Sequence, residues 1–213
     1  MTYSKSVLLT AVLVCSAVSA NASTADKKLA LEAVKNYATS IACSTTFDKN
    51  SENFKTTLKN VYEMDLSATP VEPEPDYATN PEYYADLGGR DYLVYWGGDE
   101  GCAGGSGTYS YYVTPVSRMT DTRPFLVDTS NYNIVTALYE NQQTINPRFI
   151  ESVAVKNNIV EVISSDYSDG DCNNCASLRY KYKIIYEPYP SSMGWVLLDS
   201  EFLGKRAPRT DFE

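Results

Sequence analysis

The chain has 213 residues, with 18 Lys and Arg against 27 Asp and Glu, no histidine, five cysteines and 18 tyrosines. The acidic balance, without a basic run, excludes a nucleic-acid phosphate partner, because affinity for phosphates comes from neutralising them with Lys and Arg. The missing histidine excludes Ser-His-Asp and Cys-His nucleophilic sites and removes the commonest zinc ligand.

The first 22 residues read as a secretory leader. Lys5 supplies the positive charge, residues 7–18 form an apolar run, and Ala20-Asn21-Ala22 offers the small residues a signal peptidase requires, with the cut expected after Ala22. The run is about a dozen residues, short of the ~20 that span a bilayer, and no later stretch approaches that length. Cys15 follows Val14, which is larger than the residue usual before a lipidated cysteine. The expected product is a soluble periplasmic or secreted bacterial protein of one domain, with a charge one unit more negative once Lys5 is gone.

Residues 23–66 read as two helices. Ser23 or Thr24 is placed to cap the first, in which Leu31, Val34, Ala38 and Ile41 fall on one stripe. A second is expected from Ser51, where Phe54, Leu58, Val61 and Tyr62 follow helical spacing. Residues 67–90, with Pro70, Pro73, Pro75 and Pro81 among Glu72, Glu74 and Asp76, form a stiff acidic connector.

From Asp91 the apolar period becomes alternating, and residues 91–204 read as a mostly antiparallel sheet of the same domain, with a loose tail over 205–213. Strands are expected at 91–96, 107–118, 124–127, 151–156, 159–164, 178–186 and 194–202. Asn157-Asn158 is the clearest turn, since Asn tolerates positive φ. Pairing across it sets Val155 opposite Val160 and Val153 opposite Val162 on one face. The fold class is therefore α+β, with two N-terminal helices packed on a meandering antiparallel sheet.

Four cysteines remain after the leader. In an oxidising compartment they read as Cys43–Cys102, joining the end of the first helix to a Gly-rich loop, and Cys172–Cys175, a local clip.

Two loops carry candidate chemistry. Residues 96–107 (WGGDEGCAGGSG) lack the Lys and following Ser or Thr of a phosphate loop, and Asp99-Glu100 repels phosphate. Ser106 sits between glycines, but Thr108 replaces the closing glycine of a nucleophile turn. Asp91, Asp99 and Glu100 are the carboxylates available for a glycan-hydrolase pair. The second loop alternates Asp169, Asp171 and Asn173 as in the first half of a calcium loop. The match ends there, with Asn174 where glycine belongs and Tyr180 in place of the bidentate glutamate. Cys172-Asn-Asn-Cys175 lacks the strand-then-helix setting of a redox site. The segment from Asp171-Cys172 through Leu178-Arg179-Tyr180 to Trp195 resembles cysteine-clipped hairpins of secreted bacterial proteins and brings no catalytic residue with it.

Aromatic content points to recognition. Tyr92, Tyr95, Trp96 and Tyr112, beside Asp99 and Glu100, are the expected binding residues, because rigid amphipathic rings give contact area at low entropy cost. The expected function is a binding, inhibitory or immunity-type protein without a cofactor. Its expected partner is an envelope or secreted protein, or a peptidoglycan or glycan fragment. The alternative is a carboxylate-dependent glycan hydrolase of the envelope.

Overall fold

The computed structural model describes residues 12–51, 54–66, 88–102, 107–138, 145–187 and 194–206, with side chains from Thr24 onward. The chain is mostly β. Among the described residues a single α-helix, α1 (Val12–Ile41), precedes two four-stranded antiparallel sheets. The first has the order β1 (Val61–Met64), β2 (Arg90–Asp99), β3 (Tyr109–Arg118) and β4 (Leu126–Val127). The second runs β5 (Ile150–Lys156), β6 (Ile159–Asp166), β7 (Leu178–Glu187) and β8 (Gly194–Lys205).

The expected second helix does not form, and one meandering sheet becomes two. Thr57 caps only a 3-10 turn over Leu58–Asn60, and the Asn60 side chain accepts the Thr57 amide in return. The chain then leaves the turn as β1, pairing Val61 with Val94 and Met64 with Asp91. A helix of about twelve residues is marginal without tertiary support. Here the β-branched and aromatic residues around it gain more by covering the edge of β2. Nor do Ser23 and Thr24 cap α1, because the helix already begins at Val12 and runs through them.

Three layers result. Ala30, Val34 and Ala38 of α1 pack with Tyr92, Val94, Trp96, Tyr112 and Val116 on one face of the first sheet. On its other face Leu93, Tyr95 and Val113 meet Val153, Val160, Val162, Ile184 and Trp195 of the second sheet. Strand β2 is thus covered on both sides and is buried continuously from Tyr92 to Gly98. An ion pair at 2.9 Å between Asp26 and Arg118, both largely buried, ties α1 to the end of β3. Arg118 also stacks over Phe125, 5.0 Å from the ring centre.

Hairpin β5–β6 has the expected register, with Val155 opposite Val160 and Val153 opposite Val162. Asn157 and Asn158 both take positive φ, 50° and 58°, as a two-residue turn matching strand twist requires. Two tyrosines join the sheets. Tyr62 donates to the Val153 carbonyl at 2.8 Å and Tyr95 to the Ile150 carbonyl at 3.2 Å. Their rings fill the core while their hydroxyls satisfy carbonyls of β5, an edge strand.

Strand β8 extends to Lys205, and Arg206 donates its amide to the Ser177 carbonyl, so these two residues, expected to be loose, are held to the second sheet. Residues 1–11, 207–213, most of the Pro-rich stretch (67–87) and Ser106 lie outside the described residues. Among the described residues, no helix is long and apolar enough to cross a membrane.

Candidate functional site: a glutamate in a row of tyrosines

Cys43 and Cys102 are bonded, as are Cys172 and Cys175. The first bond closes the end of α1 onto the end of β2. After Ile41 the backbone runs beside β2: Cys43 donates to the Asp99 carbonyl at 2.9 Å, Asp99 to the Ser44 carbonyl at 3.0 Å, and Thr46 to the Gly97 carbonyl at 2.9 Å. This close passage accounts for Gly98, where an added Cβ would stand 3.0 Å from the Ser44 carbonyl oxygen and 2.8 Å from the Trp96 ring. Gly97 and Gly98 therefore belong to a packed strand, and an anion cradle is not what they form.

Beyond β2 the two candidate carboxylates part. Asp99 Oδ1 accepts the Cys102 amide at 3.1 Å and closes the turn in which Cys102 takes a φ of 51°. Glu100 points instead toward Tyr132, whose hydroxyl donates to Oε2 at 3.2 Å. Its other oxygen, Oε1, is buried without a hydrogen-bond partner.

The rings around Glu100 form a row from core to surface. Trp96, fully buried with its indole N–H on the Thr114 hydroxyl at 2.8 Å, stacks on Tyr112 at 4.2 Å between ring centres. Tyr112 stacks on Tyr132 at 6.1 Å, and Tyr132 meets Tyr37 of α1 at 5.8 Å. Tyr37, Tyr132 and Glu100 are half-buried.

Desolvation pushes the Glu100 carboxyl above the ordinary glutamate range, and the Tyr132 and Tyr112 hydroxyls only partly offset it. Burial first, and then the Glu100 charge, raise the phenols of Tyr37 and Tyr112, and Tyr132 is raised the same way. At neutral pH the tyrosines remain donors. The row therefore surrounds one partly desolvated acceptor that they do not saturate.

The sequence-derived binding residues divide on this geometry. Tyr92, Tyr95, Trp96 and Tyr112 are 1%, 4%, 0% and 5% exposed, so they are core rings, and their place on a strand covered from both sides is the reason. Trp96 and Tyr112 support the row from beneath; Tyr92 packs on Phe125 and Tyr95 staples the two sheets. Glu100 lies in the site, and Asp99 shapes its loop. Sequence reasoning missed Tyr37 and Tyr132, one on the flank of an amphipathic helix and the other between strands.

Asp91 lies at the opposite end of β2, opposite Ser117, while Asp99 pairs with Tyr109. Eight residues of extended chain separate them by ~26 Å. A glycosidase pair needs roughly 5–9.5 Å. Asp91 is therefore no partner for Asp99 or Glu100.

The second acidic loop is closed on itself. Asp171 accepts the Ser168 amide at 2.7 Å, the Ser177 amide at 2.9 Å and the Ser177 hydroxyl at 2.8 Å, and these bonds hold its carboxyl below the usual aspartate range. The Arg148 guanidinium, stacked over Phe149, donates to Asn173 Oδ1 at 3.2 Å, the Asn173 carbonyl at 3.0 Å and Asn174 Oδ1 at 2.9 Å. Along the calcium-like stretch Asp169, Asp171 and Asn173, a guanidinium meets the Asn173 oxygens and Asp171 accepts from Ser168 and Ser177. Among the described residues no three His, Cys, Asp or Glu side chains converge as metal ligands.

No family model matches the chain, and no curated protein or solved structure matches it.

Proposed function

We propose that this is an exported bacterial protein, cut after Ala22, that works by binding an envelope or secreted partner at the disulfide-closed end of its first sheet. Glu100 carries the reading. It is a half-buried carboxylate with one buried oxygen unpaired, set against tyrosine rings on a loop held by the Cys43–Cys102 bond. A polar group left unsatisfied costs about 1–3 kcal/mol, so a partner that completes its hydrogen bonding gains affinity there. Rigid rings beside it supply apolar contact without ordering cost. The carboxylates considered for glycan hydrolysis sit at opposite ends of one strand or are engaged in turn formation, and this separation favours binding over chemistry.

The test is partner capture from an envelope extract by the mature protein and by its Tyr37→Ala, Tyr132→Ala variant. The expected result is loss of the retained partner by a variant that is still folded, with cooperative melting at a somewhat lower temperature. Peptidoglycan hydrolysis by the wild-type protein that vanished in Glu100→Gln would overturn the reading in favour of an enzyme.

A further inference from the structure

Neutral and charged ligands place different demands on the tyrosine row. A neutral hydroxyl can hydrogen-bond to Glu100 but does nothing for a carboxylate held in a desolvated setting without a counter-charge. Among the described residues no Lys or Arg forms an ion pair with Glu100, whereas Glu151 is met by both Arg179 and Arg206. At two places among the described residues a guanidinium lies over an aromatic ring and also meets oxygen acceptors. Arg118 lies over Phe125 and bonds Asp26, while Arg148 lies over Phe149 and bonds the 173–174 loop. The half-buried Tyr37–Tyr132–Glu100 group presents the other half of that arrangement, rings beside a carboxylate.

Resting on the binding reading above, we propose that this group takes the guanidinium of an arginine side chain presented by a partner protein. A guanidinium is planar, stacks on aromatic faces and offers paired N–H donors that fit the two oxygens of a carboxylate. The ring faces of Tyr37 and Tyr132 supply the stacking surface, and Glu100 supplies the charge. The last torsion of a glutamate is soft, so a modest rotation of the carboxyl brings Oε1 toward the entering cation. The chain's net charge of −9 adds long-range attraction for a basic partner.

The experiment is an NMR titration of the mature protein at pH 7 with three probes. These are the peptide acetyl-Gly-Arg-Gly-amide, the same peptide with citrulline in place of arginine, and chitotriose. Citrulline keeps the planar shape and removes the charge. The expected result is saturable shifts of Tyr37 and Tyr132 with the arginine peptide, weakened about tenfold by citrulline or by Glu100→Gln. Glu201→Gln, which removes an equal charge on β8 of the second sheet, where Glu201 pairs with Lys181, should leave the titration unchanged. Equal binding of the citrulline peptide, or chitotriose acting in place of arginine, would overturn the cation while leaving the binding reading intact. No shift with any probe overturns the arginine site, whereas the binding reading falls separately, if the Tyr37→Ala, Tyr132→Ala variant still captures the same partner. Unchanged melting of Glu100→Gln separates lost recognition from lost folding.

Discussion

Loops 96–107 and 166–175 are close in composition, each combining Asp or Glu, Gly, and a cysteine held in a disulfide. Structure separates them by electrostatic closure. In the second, three donors from Ser168 and Ser177 meet Asp171 and Arg148 meets the asparagines. In the first, Asp99 is used up by the turn, and Glu100 is met by the Tyr132 and Tyr112 hydroxyls, with no cation paired to it among the described residues. Acidic, glycine-rich character thus says little by itself. What distinguishes a loop able to receive a ligand is whether its charges already have partners.

The two disulfides give the largest test of that contrast. The Cys43–Cys102 bond spans 59 residues of sequence and the Cys172–Cys175 bond only 3. Removing the first by double replacement with serine should cost about 4 kcal/mol and the second about 2, as denaturant unfolding would measure. Arginine-peptide binding should weaken only with the first. An equal cost for both would show that loop closure is not what stabilises the Glu100 end.

A third carboxyl sharpens the comparison. Asp91 is largely buried, and desolvation raises it to about 6, against the lowering effect of the Leu66 amide at 3.4 Å. Its native pKa lies above the unfolded value, so the folded state holds the proton more tightly. The associated stability is present in full below about pH 4 and is lost as pH rises through 6. The loss should be roughly 3 kcal/mol, and Asp91→Asn should flatten that part of the stability profile. A profile rising with pH over the same interval in the wild type, and unchanged in the variant, would contradict the assignment.

How much of this was legible in sequence varies by element. The Asn157-Asn158 hairpin was readable because turn chemistry and valine alternation agree on one register. The stretch around Phe54–Tyr62 was not, because helical spacing in a short segment cannot reveal that β2 has an edge to be covered. Burial of Tyr92, Tyr95 and Trp96 did leave a signal. The unbroken apolar run Tyr92-Leu93-Val94-Tyr95-Trp96 lacks the polar alternation of a strand with one wet face. The row at Glu100 is assembled from α1, the end of β2, β3 and the segment after β4, so its members have no common spacing.

The measurement that bears most directly on the account is a carboxyl-carbon NMR pH titration of Glu100 and Asp171 in one sample. The account predicts shifts of opposite sign, with Glu100 titrating above the ordinary 4.5 of glutamate and Asp171 below the ordinary 3.8 of aspartate. Glu100 titrating at or below 4.5 would mean that its carboxylate is already satisfied, and would contradict the assignment of this loop as the open one.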